Sequence, residues 1–269
     1  MRITGAVFFD LPTVGLFVLI FGLVLGSTAL GAFAGRRVRH LSDALTEPFG
    51  VLQAAMLGVV GLILAFGLSL ALSRYEDRRT SIVEEANAIG TTYLRAQTLD
   101  EPVRRRSLAL LVEYAEAAIQ FADHVPGGED ALAAEEEEQR LHREIWALAD
   151  RALDEAPQAS APRLYVESLN ELIDAQTVRS AALNNRVPAE ILWLELIGSC
   201  FALALLAAYL SLVGRGLVGV LVAALVIAGL LFVTADLDRP TRGPIQVPDT
   251  VLVDQLESMR NPPAAGERP

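Results

Sequence analysis

Residues 50–96 read GVLQAAMLGVVGLILAFGLSLAL followed directly by SRYEDRRTSIVEEANAIGTTYLRA. The first 23 residues, 50–72, carry no charge. At the ~1.5 Å rise of a helix they are long enough to cross a ~30 Å hydrocarbon core. The second part is dense in arginine and glutamate, and no glycine or proline interrupts the join. Nothing breaks the helical pattern between Thr46-Glu47-Pro48, a plausible helix start, and about Gln97. The stretch therefore predicts one long helix, half in lipid and half in water. The order of charges has a cause: arginines next to the span snorkel toward headgroups and fix the boundary.

The rest of the chain follows the same partition. Hydrophobic residues make up 52% of it, yet its net charge is -11, and the two agree only if apolar and acidic residues are segregated. Four stretches, 13–34, 50–72, 191–213 and 217–235, hold a single charge between them, Glu195. Residues 73–190 hold 23 acidic residues against 13 arginines. The reading is an all-α, polytopic membrane protein with four transmembrane helices and a helical cytoplasmic domain between the second and third. Its parts are a first helix pair (1–72), the helical domain continuous with the second span (73–190), a second helix pair (191–235) and a Pro-rich tail (236–269). Ala32-Phe33-Ala34 resembles a signal-peptide cleavage site, but the apolar run is long and is preceded by Asp10 and Pro12, so a retained helix is expected.

With four spans, both termini and residues 73–190 lie on one side. Near the span ends that side carries eight arginines, and the other carries Arg36, Arg37, Arg39 and Arg215. The bias places the large segment in the cytoplasm, with RRVRH (36–40) opposing it. The absence of lysine beside abundant alanine, leucine and glycine reads as a GC-rich bacterial genome, and so the cytoplasmic membrane of a bacterium. An acidic chain of this kind does not seek nucleic acid by charge.

Within the water-facing part, Asp100 is a candidate cap for a helix with Pro102 in its first turn. Leu111, Tyr114, Ala118 and Phe121 form one apolar face, and Leu141, Ile145, Leu148 and Ala152 another. VPGGED and EAPQASAP separate the helices, and a third starts near Pro162. The run Glu135 to Glu138 and His142 read as solvated. VLVDQLESMR (251–260) suits a short docking helix, and the last residues a disordered tail.

Three sets of candidate functional residues follow. On the second span Leu62, Phe66, Leu70 and Ser73 share a bulkier face that would form an apolar constriction if the helix lines a pore. Ala54, Gly58, Gly61, Ala65 and Ser69 give a small-residue face for close helix approach. Beyond the membrane, Glu84, Asn87, Thr91 and Arg95 form a polar stripe, matched by Asn170, Asp174, Thr177 and Asn184 on the third water-facing helix. Two such stripes either bond to each other or line a wet passage. Arg74, Arg78, Arg79, Glu195, Asp236, Asp238 and Arg239 form a charge cluster at the membrane boundary, in which Glu195 or Asp236 is expected to pair with one of Arg74, Arg78 or Arg79.

SRYEDRRTSIVEEANAIGTTYLRA, then LNELIDAQTVRSAALNNRVP, then DLDRPTRGPIQV resemble, in order, the motifs of the bacterial bestrophin-like domain family, over roughly residues 46–260. The EANAIGT stretch is the most specific of them. The family is distantly similar to bestrophins, pentameric chloride channels with four membrane helices per subunit and a helical cytoplasmic part. The resemblance implies an oligomer, a pentamer if bestrophin-like, that passes small inorganic ions. Where bestrophins have an aromatic neck on the second helix, this chain offers Phe66 alone, and its water-facing part is acidic.

The leading reading is thus an oligomeric ion channel, with anions favoured by the resemblance. The alternative is a non-conducting scaffold or sensor whose acidic helices bind a partner protein. An enzyme is not expected. Without lysine there is no Gly-Lys-Ser/Thr phosphate loop and no Schiff base. His40, His124 and His142 are scattered, and the single cysteine, Cys200, lies within a span. No catalytic residue, metal site or cofactor is expected, and the partners foreseen are the lipid bilayer and further copies of the chain.

Overall fold

The apolar and charged stretches of the sequence each become helix, with no strand among the described residues. The structure, a computed structural model, describes residues 7–9, 11–39, 42–124, 128–214, 216 and 218–261. The helices are α1 (Thr13–Arg37), α2 (Ser42–Ala96), α3 (Val103–Asp123), α4 (Glu129–Glu155), α5 (Ser160–Asn184), α6 (Ala189–Val213), α7 (Val218–Leu237) and α8 (Thr250–Arg260). Four are long and apolar enough to cross a membrane: α1, the first half of α2, α6 and α7. Arg2, Asp10, His40, Arg215 and the tail after Asn261 lie outside the described residues. α2 begins at Ser42, so Pro48 lies inside it rather than in its first turn. α2 then continues to Ala96 as one helix of 55 residues.

The chain divides into two compact units, residues 1–74 with 186–245, and residues 75–185 with 246–269. In the first, α1 packs along α6 and α7. Apolar area does not drive helices together in lipid, so close packing of small residues must. Gly31 and Gly35, one turn apart, supply it. A Cβ on Gly31 would run into the backbone of Ala204, and one on Gly35 into that of Ala208. Two buried threonine hydroxyls of this unit turn back on their own helices. Thr28 Oγ1 donates to the Val24 carbonyl (2.7 Å) and Thr234 Oγ1 to that of Leu230 (2.9 Å). α6 ends on Gly214 in the left-handed region (φ 73°), which satisfies its last carbonyls through the Gly214 N–H.

The second unit is built around a conventional core. Ile82 and Ile89 of α2, Leu110, Leu111 and Tyr114 of α3, Leu141 and Ile145 of α4, Leu169 and Leu172 of α5 and Leu252 of α8 are all buried together. α3 starts at Val103 with Pro102 at the cap position, and no side chain caps it, so Asp100 does not act as the cap. The docking helix is present as α8 and packs on α3. Its amphipathic spacing buries Leu252, Leu256 and Met259.

The later half of α2 and α5 run antiparallel, joined by a ladder of side-chain bonds. Arg95 Nη1 donates to the Leu164 carbonyl (2.8 Å), Thr92 Oγ1 to that of Ser168 (3.0 Å), and Arg78 to those of Ala182 (3.3 Å) and Asn185 (2.9 Å). Arg78, fully buried, thereby caps the C-terminal end of α5, where a cation is favoured by the free carbonyls and the helix dipole.

Candidate functional site

The apolar half of α2 places Val60, Leu64, Gly67 and Ala71 inside its unit. That choice leaves the opposite faces uncovered. Leu62 is 58% and Phe66 66% exposed, Leu70 is half-buried and Ser73 exposed. Ala54, Gly58, Gly61, Ala65 and Ser69 are exposed as well, and a Cβ on Gly58 or Gly61 would meet nothing within 4 Å. A single copy of the chain thus presents a bulky face and a small-residue face on the same helix, neither covered by its own spans.

Glu195 does not find the arginine partner expected of it. It is 1% exposed, makes no hydrogen bond or ion pair with any described residue, and its carboxyl lies where a Cβ on Gly67 would be. Arg79 reaches Glu76 instead (3.8 Å), and Arg78 is committed to α5 carbonyls. Arg74 has partners too, none of them Glu195.

The aspartates of DLDRPTRGPIQV serve backbone groups. Asp238 Oδ2 accepts the Val187 N–H (2.8 Å) just ahead of α6, and Asp236 Oδ2 accepts the Ile245 N–H (3.0 Å). Gly243 adopts φ 86° against the Asp236 carboxyl, where any Cβ would overlap it. Arg239 and Arg242 donate to the carbonyls of Leu11 (2.5 Å) and Phe9 (3.3 Å). The motif therefore ties the end of α7 to the start of α6 and to the segment ahead of α1. Asp238→Ala strands a buried N–H and is expected to cost about 1–3 kcal/mol, read as a lowered thermal midpoint of the full chain in detergent.

The polar stripes on α2 and α5 lie one position away from the buried polar groups. Glu84 and Asn87 are exposed, Thr91 and Arg95 half-buried, and Asn170, Asp174, Thr177 and Asn184 exposed. Asn87 and Thr91, with Gly90, Gln97, Gln255 and Ser258, line a cleft of about 290 Å³ between α2 and α8. Its floor is fixed by Tyr93, whose hydroxyl donates to the Met259 carbonyl (2.9 Å).

The buried polar set is Glu85 of α2, Tyr114 of α3, Glu138 and His142 of α4, and Gln176 and Arg179 of α5. Glu85, Glu138 and Arg179 are wholly inaccessible. Arg179 forms ion pairs with both carboxylates, donates through Nη1 to the Ala118 carbonyl (2.9 Å) and lies 4.7 Å from the Phe121 ring centre. Tyr114 donates to Glu85 Oε1 (2.5 Å) and Gln176 to Glu138 Oε2 (3.1 Å). His142 stacks on Tyr114 with ring centres 4.7 Å apart, and its Nε2 is buried without a partner. Burial pushes the Glu85 carboxyl up to about 7 against the pull of Arg179, and raises that of Glu138. It lowers His142 to about 4, helped by the Arg179 charge.

Glu138 and His142 are therefore not solvated, contrary to expectation. A closer reading of helical spacing finds them, because Ala134, Glu138, Leu141, His142 and Ile145 fall on one buried stripe of α4. Among the described residues no group of three or more His, Cys, Asp or Glu is arranged to hold a metal ion.

The family model for the bestrophin-like domain matches residues 18–252. The chain belongs to the bestrophin-like domain family. Its fold is that of a bestrophin homologue from Klebsiella pneumoniae, with a TM-score of 0.67 at 14% identity, covering 89% of this chain and 96% of that one. A point variant of the same Klebsiella protein superimposes with a TM-score of 0.66 at 14% identity, over 91% and 98% of the two chains. A further membrane protein structure aligns with a TM-score of 0.67 at 15% identity, over 93% and 99%. No curated protein matches the chain by sequence. The family assignment and the four apolar helices together make this a multi-pass membrane protein.

Proposed function

We propose that this bestrophin-like protein is an oligomeric ion channel of the bacterial cytoplasmic membrane, with α2 of each copy lining a shared pore. Family membership carries this reading, and the uncovered faces of α2 give it a geometry. In a ring of subunits the small-residue face, Ala54 to Ser69, lets neighbouring helices approach closely. The Leu62, Phe66, Leu70 and Ser73 face then turns to the axis and gates by dewetting. The arginine bias puts residues 73–190 and both termini in the cytoplasm. Small anions are the favoured cargo by likeness to bestrophins. Glu84, Asn87, Thr91 and Arg95 continue along α2 beyond the apolar ring and tune the field that an entering ion meets. Asn170, Asp174 and Thr177 present a second exposed polar edge, on α5. Arg74 at the membrane boundary adds positive potential.

Purified protein in planar bilayers is expected to give discrete single-channel currents, and solubilised particles to show ring symmetry with an axial hole. Phe66→Ala should raise the current several-fold, because a narrower apolar ring is what excludes water. A two-fold particle, or no current across salts and pH, would instead favour the non-conducting scaffold.

A further inference from the structure

The buried network of the second unit contains two carboxyl groups and one guanidinium, none of them exposed. With all three ionised the set carries one uncompensated negative charge. Burial of such a charge costs several kcal/mol, while a neutral, hydrogen-bonded set is tolerated. Among the described residues no second cation acts on the two carboxyls. Tyr114 faces the set from α3, Glu135 and His142 from α4, and Gln176 and Ser180 from α5. Ser180 donates to Glu135 (3.4 Å), so Glu135 adds only further negative charge. Burial and Arg179 together oppose protonation of His142.

The hydrogen bonds within the set are uneven. Both oxygens of Glu138 accept one, from Arg179 and Gln176. On Glu85, Oε2 is the oxygen paired with Arg179, and Oε1 lies 2.5 Å from the Tyr114 hydroxyl, the one partner in the set that can accept a proton as well as donate one. Oε1 is therefore the oxygen placed to carry a proton and to donate it to Tyr114.

We propose that Glu85, Glu138 and Arg179 form a one-proton site, with the proton on Glu85, and that its release at alkaline pH loosens α4 from α2 and α5. The inference concerns this unit alone and does not depend on the channel reading.

The sign follows from linkage. The Glu85 acid is held up to about 7 in the folded chain and is an ordinary glutamate near 4.5 when unfolded. The folded state then binds the extra proton between those values. The contribution is fully present below about 4.5 and is lost as pH rises through about 7. His142, held down to about 4, acts in the opposite sense over part of the range, so the site is read by comparing variants that share it.

Infrared spectra of the full chain in nanodiscs are expected to show a protonated-carboxyl band at pH 5.5 that is gone at pH 8.5, and that is absent from Glu85→Gln once Glu195, the other buried glutamate without a cation, is also changed to Gln. Should that variant fail to fold, Glu195→Gln removes the buried glutamate outside the network and must leave the titrating band intact. By hydrogen exchange, the protection of α4 amides in the natural chain divided by that in Glu138→Gln should fall about tenfold per pH unit between 5 and 7. A titrating band that survives when Glu85→Gln is combined with Glu195→Gln, one that vanishes in Glu195→Gln alone, or a protection ratio flat with pH overturns the proposal.

Discussion

Arg179→Ala is expected to destabilise the second unit by about 3–5 kcal/mol, because it leaves two buried carboxyls without their cation. The guanidinium holds Glu85 of α2 and Glu138 of α4 at once, bonds to the Ala118 carbonyl of α3 and covers the Phe121 ring. Four helices therefore meet at one side chain. Hydrogen exchange of α3, α4 and α5 in the full chain should accelerate together, since they share this joint. The defect should be partly corrected as the pH is lowered toward 5, because burial already raises both carboxyls and loss of the cation raises them further, and that rescue distinguishes lost charge from lost volume. Arg179→Met combined with Glu85→Gln and Glu138→Gln should recover most of the loss, as replacing a whole buried ionic set by neutral groups is often close to neutral. An Arg179→Ala chain with unchanged protection would remove the network from any account of this fold.

The sequence made some of this legible and hid the rest for identifiable reasons. Span lengths, the continuity of α2 and the apolar faces of α3 and α4 rest on local periodicity, and all reappear in the structure. The position of the buried polar groups rests on rotation about the helix axis, to which composition is blind. Glu84 and Glu85 are adjacent and chemically identical, yet 84 points outward and 85 is wholly buried. Only the partners decide this, and Arg179 is far away in sequence. The Glu135 to Glu138 run misleads in the same way, since three exposed or half-buried glutamates disguise a fourth that falls on the core stripe. Glu195 fails differently. A charge in a span calls for a cation, but the helix that faces it offers Gly67, whose missing side chain makes room for the carboxyl without pairing it. Arg78, Arg239 and Arg242, by contrast, take backbone carbonyls, partners that no residue pattern displays.

Gly31→Leu is expected to separate α1 from α6 and to cost about 3 kcal/mol or more, the upper end of what overpacking does. The reason lies in what the new side chain would meet. At most positions an added Cβ pushes aside a flexible side chain, but here it meets the carbonyl and Cα of Ala204, which are backbone of a helix and cannot turn away. α1 would have to translate outward, and the same movement would open the contact one turn on, at Gly35 and Ala208. In lipid the separated faces gain contacts with acyl chains, so the loss arises from packing and not from exposed apolar area. Gly35→Leu should be equally severe, and the double variant much less than additive, because the first substitution has already moved the helix. Gly22→Leu and Gly26→Leu provide the comparison on the same helix: a Cβ at either meets nothing within 4 Å, and both should leave the thermal midpoint near that of the natural chain. Equal midpoints for Gly31→Leu and Gly26→Leu in detergent would mean that α1 is not held against α6 by this pair of glycines.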